Sequence, residues 1–377
     1  MPHLELKLHP VELPLRHAWT IAHGTRTVQN NLIVELSDPD TGLSGYGEAA
    51  AIPYFGVTVE GMVEAVQMDI AGEPGHETWI AEAYDRVEWI EGGCKNSRVP
   101  SLGWRTDGIS MPDAVVAFLR CAVDQAAYDL VGKQKQQPTW RLFSIDRSTC
   151  PVSDYTIGMA EPEVMAEKLR EFPDFPVYKI KLGTGSLATD LALVERLRKE
   201  TDATFRVDAN TAWTAEEAIR ISGPLKQLGV EFIEQPLKRD LPCSEHEAVY
   251  FGSDLPIMAD ESCITEADVE ACAGCFHGIN IKLTKCGGMT PARRMIARAR
   301  ELDMKVMIGC MTETTVGISA IGQLLPLLDY VDMDGALLLA EDIADGVKVG
   351  PDGVAVFPDG EAGHGNGVTL TRDLPTV

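Results

Sequence analysis

Thr204-Phe205-Arg206-Val207-Asp208, Val230-Glu231-Phe232-Ile233-Glu234 and Pro256-Ile257-Met258-Ala259-Asp260 decide the fold of this chain. Each is a short apolar, β-prone run closed by an acid, and the three acids stand 26 positions apart. A lysine flanks the trio on each side at nearly the same step: Lys181 lies 27 residues before Asp208, and Lys285 lies 25 residues after Asp260. A strand–helix unit repeated at this interval brings all five side chains to one end of one barrel, where such folds keep their active sites. A single acid at a strand end is equally well read as a helix cap. Three at one interval, each after an apolar run, argue against that reading.

The same rhythm extends in both directions. Strands are expected near 152–158, 178–182, 204–208, 230–234, 256–260, 279–283, 305–309 and 330–334. Helical patterns lie between them: 187–200 has apolar residues at 187, 191, 194 and 197, and further helices are expected over Pro291–Leu302 and Val316–Leu328. Thr214 followed by Glu217 reads as a capping box. The stretch after the last strand is Gly/Pro/Asp-rich, so the eighth helix should be short or absent. Residues 1–120 read as a separate α+β segment, with strands over Val11–Trp19, Asn31–Leu36 and Gly45–Ala49 and helices over Val59–Ile70 and Trp79–Glu88. Pro112–Gly132 reads as a long helix docking the two parts. The expected organisation is a capping domain over 1–120, completed by the tail 350–377, and a barrel over 121–349.

Composition narrows the class. The chain has 377 residues, 45% hydrophobic and 24% charged, as in ordinary globular proteins, and no apolar run long enough for a membrane helix. The N-terminus has no apolar signal core, so a cytoplasmic location is the default expectation. A net charge of −24 argues against nucleic acid and anionic membranes as partners. Nine scattered cysteines do not form a disulfide framework, and Cys272-x-x-Cys275, with no second such pair, reads as ordinary thiols.

Three carboxylates without histidine or cysteine nearby favour a hard cation, Mg²⁺ over zinc. Lys179 and Lys181 alternate with Ile180 and share one face of their strand, while Tyr178, Ile180 and Leu182 face the helices. If the lysines face the barrel interior, each should depress the other's pKa and favour a base near neutral pH. Lys282 and Lys285 form a comparable pair before the turn Gly287-Gly288.

These motifs resemble a known family. Lys179-Ile180-Lys181, Val207-Asp208-Ala209-Asn210, Ile233-Glu234-Gln235-Pro236, Ala259-Asp260-Glu261-Ser262 and Lys282-Leu283-Thr284-Lys285-Cys286-Gly287-Gly288 are similar, in order, to the series of the enolase superfamily, muconate lactonising enzyme subgroup. Gly45-Tyr46-Gly47-Glu48-Ala49 resembles its capping-domain signature. The resemblance implies a (β/α)₇β modified TIM barrel under an α+β capping domain. It also implies one Mg²⁺ per subunit on Asp208, Glu234 and Asp260, with Lys181 and Lys285 as acid/base catalysts on opposite faces of an enolate. Lys179, Met311 and Thr312 are expected at the substrate, with Asn210, Glu261 and Lys282 in support, and a homo-oligomer is expected.

Asp332-Met333-Asp334 resembles the Asp-x-Asp of dipeptide epimerases, where the acids hold a free α-ammonium; alternatively the pair caps the strand before Gly335. The expectation is therefore a Mg²⁺-dependent dipeptide epimerase acting on the C-terminal residue of a small-molecule dipeptide. The alternatives are an N-acylamino acid racemase, a muconate-type cycloisomerase, or a catalytically inactive barrel acting as a binding protein. The chain departs from the Ala-Glu epimerase pattern at Gly24, where an arginine is typical. Either Arg26 in His23-Gly24-Thr25-Arg26 takes its place, or the preferred second residue is not glutamate. Loops 18–27 and 52–57 are expected to close over the substrate.

Overall fold

The computed structural model describes residues 4–21, 24–70, 78–92 and 113–377. Its N-terminal strands β1 (Glu5–Ile21), β2 (Gly24–Asp38) and β3 (Leu43–Ala50) form an antiparallel sheet in that order. The first two are longer than the alternation alone marks. Trp19 pairs with Arg26 and Ile21 with Gly24, so within 18–27 the residues 19–21 and 24–26 are paired strand, and Ala22 and His23 lie outside the described residues.

Helices α1 (Val59–Ile70), α2 (Thr78–Glu91) and α3 (Asp113–Gln134) pack beside this sheet, α3 directly on β3. The Gly45-Tyr46-Gly47-Glu48 sequence explains that contact. A Cβ on Gly45 would stand 2.1 Å from the Ala126 carbonyl oxygen, and one on Gly47 1.9 Å from that of Ala122, so only glycine lets strand and helix backbones meet. Tyr46 N then donates to Asp129 Oδ2 and Glu48 N to Gln125 Oε1, which satisfies an otherwise unpaired strand edge.

After the short α4 (Thr139–Leu142) the chain alternates strand and helix. In order come β4 (Tyr155–Ile157), α5 (Pro162–Glu171), β5 (Val177–Lys181), α6 (Leu187–Arg198), β6 (Thr204–Asp208), α7 (Ala215–Gln227), β7 (Val230–Glu234) and α8 (Cys243–Gly252). There follow β8 (Ile257–Ala259), α9 (Asp268–Cys272), β9 (Gly278–Ile281), α10 (Leu283–Cys286), α11 (Met289–Glu301), β10 (Lys305–Gly309), α12 (Thr315–Gly322) and β11 (Tyr330–Asp332). Strands β4 to β11 pair in sequence order and in parallel, and a bridge from Ser153 to Val331 joins the two ends into a barrel.

Local chemistry sets the helix ends. Thr214 and Glu217 make the reciprocal capping box at α7, and Ser186 caps α6 by accepting from Thr189 N. The helix expected over Val316–Leu328 is shorter: α12 stops at Gly322 and only a 3₁₀ turn over Leu325–Leu327 follows. Pro326 has no N–H to continue the ladder. After β11 the eighth helix is reduced to a 3₁₀ turn over Gly335–Leu338. Tyr178, Ile180 and Leu182 are fully buried in the apolar layer outside the barrel. The C-terminal segment returns to the first sheet: Val377 N donates to Leu8 O, and Asn366 N to Asp129 Oδ1 on α3.

Glu48 joins the sheet to the barrel. Its carboxylate is fully buried and accepts from Asn31 Nδ2 (2.6 Å), Thr314 N (3.0 Å), Thr314 Oγ1 (2.6 Å) and Gly317 N (2.9 Å). Thr314 is the N-cap of α12, so an acid of β3 sits at the positive end of a barrel helix. Burial pushes the Glu48 carboxyl above its usual range, against the pull of these donors. Glu48→Ala leaves several buried donors unpaired. It is expected to lower the unfolding free energy by about 2–4 kcal/mol in urea denaturation, whereas a surface control such as Glu245→Ala should change it little.

Candidate active site

The acids and lysines converge as the repeat requires. Lys181, Asp208 and Glu234 are the last residues of β5, β6 and β7, and parallel register sets Lys181 beside Asp208 and Asp208 beside Glu234. Asp260 follows β8, Lys282 caps α10 and Lys285 lies within it, and Asp332 ends β11. One cleft of about 690 Å³, counting solvent at its mouth, is lined by Lys181, Asn210, Asp260, Glu261, Lys282, Lys285, Met311, Thr312, Asp332 and Asp334. Asp208 and Glu234 are fully buried.

Backbone and side-chain geometry hold the acids. Asn210, at φ 43°, donates its N–H to Asp208 Oδ1. Gln235, at φ 35°, accepts on Oε1 from the backbone N–H of Asp260 and of Ser262 and donates Nε2 to Ser262 Oγ. It therefore ties the end of β7 to the end of β8. Asn280 Nδ2 donates to Glu234 Oε1 at 2.8 Å.

Ion pairs fill the centre. Lys181 Nζ lies 2.5 Å from Asp208 Oδ2; Lys285 and Lys282 lie 2.5 and 3.1 Å from the two oxygens of Asp260. Lys179 is buried beneath the cleft instead of lining it, with Nζ 2.8 Å from Glu234, 3.0 Å from Asp332 and 3.5 Å from Asp208. The expected mutual depression of the lysines does not hold at Lys179. Burial opposes its charge, but Asp332, Glu234, Asp208 and Asp154 outweigh that and hold its ammonium well above the usual lysine range. Burial likewise opposes ionisation of Asp260, yet Lys282 and Lys285 hold its carboxyl below the ordinary range. Glu261, half-buried beside Asp260, is pushed up to about 7 by desolvation and by that neighbour's charge.

Asp208, Glu234 and Asp260 each present an oxygen within 4.8 Å of the others'. Glu234 Oε2, although 2.8 Å from Lys179 Nζ, has no aligned hydrogen bond. Three buried carboxylates with spare lone pairs fit a hard, oxygen-seeking cation.

Asp332 and Asp334 both reach the cleft wall, although the strand ends at Asp332. Asp334 Oδ2 accepts from Thr156 N at 2.6 Å, and Asp332 Oδ2 from Lys179. Burial opposes ionisation of Asp332, but Lys179 holds its carboxyl down at about 2, whereas burial and Asp332 push Asp334 well up. Arg26 comes to the cleft from β2, donating Nη2 to Thr312 Oγ1 at 2.9 Å and leaving Nε unpaired.

Several lining residues are not marked by any sequence motif: Thr156, Cys310 and Leu338, and individually Ile52, Tyr54 and Phe55 within the 52–57 loop. Lys285 Nζ stands 5.6 Å above the Phe55 ring. Thr156 has a readable signal, since it is the polar residue between buried Tyr155 and Ile157.

The barrel with acids and lysines on one rim defines a class, and the sequence comparison agrees with it: residues 163–374 match the enolase C-terminal domain-like family, to which this chain belongs. Among its relatives is a protein of Maribacter sp. named L-Ala-D/L-amino acid epimerase, 44% identical over 98% of this chain and 100% of its own length. An L-Ala-D/L-Glu epimerase of Bacteroides thetaiotaomicron is 35% identical over 92% of this chain and 84% of its own. A crystal structure of a dipeptide epimerase from Enterococcus faecalis, complexed with Mg and L-Leu-L-Tyr, superposes with a TM-score of 0.83 at 30% identity, covering 98% of this chain and 100% of that one.

Proposed function

We propose that this protein is a dipeptide epimerase that inverts the α-carbon of the C-terminal residue by moving one proton off and another on. The observation that carries this reading is the placement of the two lysines. β5 and β9 are the second and sixth strands of an eight-strand ring, four steps apart, so Lys181 and Lys285 enter the cleft from opposite sides.

The neutral amine of one lysine takes the Cα proton, and the electron pair moves into the adjoining carboxylate to give an enolate. The ammonium of the other returns a proton to the opposite face. Run in reverse, the lysines exchange roles, so each serves one epimer. Asp208, Glu234 and Asp260 are the residues that would hold a divalent cation, Mg²⁺ in this reading. That cation supplies positive charge to stabilise the charge developing on the substrate carboxylate. Lys179 ties Glu234, Asp208 and Asp332 together beneath the cleft and keeps the acids in place.

Asp332 and Asp334 favour a dipeptide over an N-acyl amino acid, because two acids on one wall suit a free α-ammonium and leave a neutral acyl group without matching donors. Asp332→Asn is expected to weaken dipeptide binding by about 2–5 kcal/mol, the loss typical of a truncated buried charge pair. N-acetylating the dipeptide should weaken it comparably in the unmodified enzyme and add little in the variant. Calorimetric titration of free and acetylated dipeptide checks this. An additive loss would detach the pair from the ammonium.

A further inference from the structure

We propose that Cys243 and Cys275 form a reversible disulfide on the outside of the barrel. Cys243 is the exposed first residue of α8, and Cys275 lies in the turn after α9. The two are 32 positions apart in sequence, yet their sulfurs are in contact at 2.7 Å. The C-x-x-C spacing misleads here. Cys272 does not meet Cys275; its Sγ points to Ser262 O at 3.6 Å, on the side of Cys263.

Glu247, one helical turn beyond Cys243, brings a carboxylate within 4.8 Å of both sulfurs and raises the reading of a soft-metal site. Three donors fall one short of a closed tetrahedral site. Two thiolates on one zinc at about 2.3 Å would stand roughly 3.8 Å apart, so metal binding requires these sulfurs to separate. A disulfide requires only that they close, and it leaves Glu247 in solvent.

The reaction needs an oxidant, and a low-molecular-weight disulfide such as oxidised glutathione supplies it. Exposed Cys243, as thiolate, attacks one sulfur of that disulfide; its S–S bond breaks and one thiol leaves, giving a mixed disulfide on Cys243. Cys275 then gives its proton to solvent and attacks the Cys243 sulfur, and the second thiol leaves. Two protein thiols are oxidised and one small disulfide is reduced to two thiols. Burial and the neighbouring Cys243 push the Cys275 thiol up to about 12, so the first attack falls to exposed Cys243. The bond closes a loop that holds β8 and Asp260, linking the elements on both sides of that strand.

The test is a thiol map of the full-length protein. After incubation with oxidised glutathione, free thiols are alkylated under denaturing conditions and the digest is read by mass. The expected product is one peptide pair joining Cys243 to Cys275, about 2 Da lighter than the two thiols and separated by dithiothreitol. Cys275→Ser, folded by circular dichroism, should instead trap glutathione on Cys243. Glutathione remaining on Cys243 in the unmodified protein while Cys275 is alkylated would overturn the proposal. So would a Cys272–Cys275 bond, or one equivalent of zinc that survives gel filtration and is lost in Cys243→Ser.

Discussion

Lys181→Ala and Lys285→Ala should each lower epimerisation by about 10²–10⁴-fold or more, the usual contribution of a positioned acid or base, while each retains exchange of a different epimer. The reason is geometric. In the proposed mechanism the lysines reach the cleft from opposite sides of the ring, so removing one leaves the other able to take the Cα proton and return a solvent-derived one on its own face. In D₂O, proton NMR should show the Cα signal of one epimer fading in one variant and that of the other epimer in the second, without inversion in either. A thermal shift on adding Mg²⁺ should persist in both, which separates lost chemistry from a lost site. Exchange of the same epimer by both variants would end the two-base assignment.

Chelation should have an effect of similar size. With excess EDTA, turnover is expected to fall by about 10³-fold or more, since fixed positive charge beside a developing anion contributes heavily to lowering the barrier of such reactions. Mg²⁺ should restore it. The motive is the ligand set: three buried carboxylates, one with an oxygen that lacks an aligned partner. Asp208→Asn or Glu234→Gln should raise the Mg²⁺ concentration needed for half-maximal rate. Undiminished turnover in chelator, or restoration only by a soft metal, would count against this site.

The barrel and the convergence of its acids and lysines are legible in the sequence because both rest on strand period and interval. Asp208, Glu234 and Asp260 come at one spacing, and alternation along Tyr178–Leu182 separates lysines from core residues. What is not legible depends on partners remote in sequence. Glu48 caps a helix 266 positions away, and Thr156 meets Asp334 across 178. The roles of Gln235 and Asn280 are likewise visible only once β7, β8 and β9 lie side by side. The pKa of Lys179 is misleading from sequence, which displays the neighbouring lysine and hides the carboxylates that converge on it. The ends of β1 and β2 are hidden because Trp19–Ile21 and Gly24–Arg26 are held by pairing with each other and have little apolar alternation of their own.

The central claim, epimerisation of a dipeptide bearing a free ammonium, is tested most directly by mass in D₂O. A library of free dipeptides, their N-acetyl forms and N-acyl amino acids is incubated with enzyme and Mg²⁺, and deuterium at Cα of the C-terminal residue is read together with its configuration. Free dipeptides are expected to gain one deuterium with inversion, and their acetylated counterparts to gain it at least about 30-fold more slowly. An N-acyl amino acid that outpaces every free dipeptide would contradict the claim.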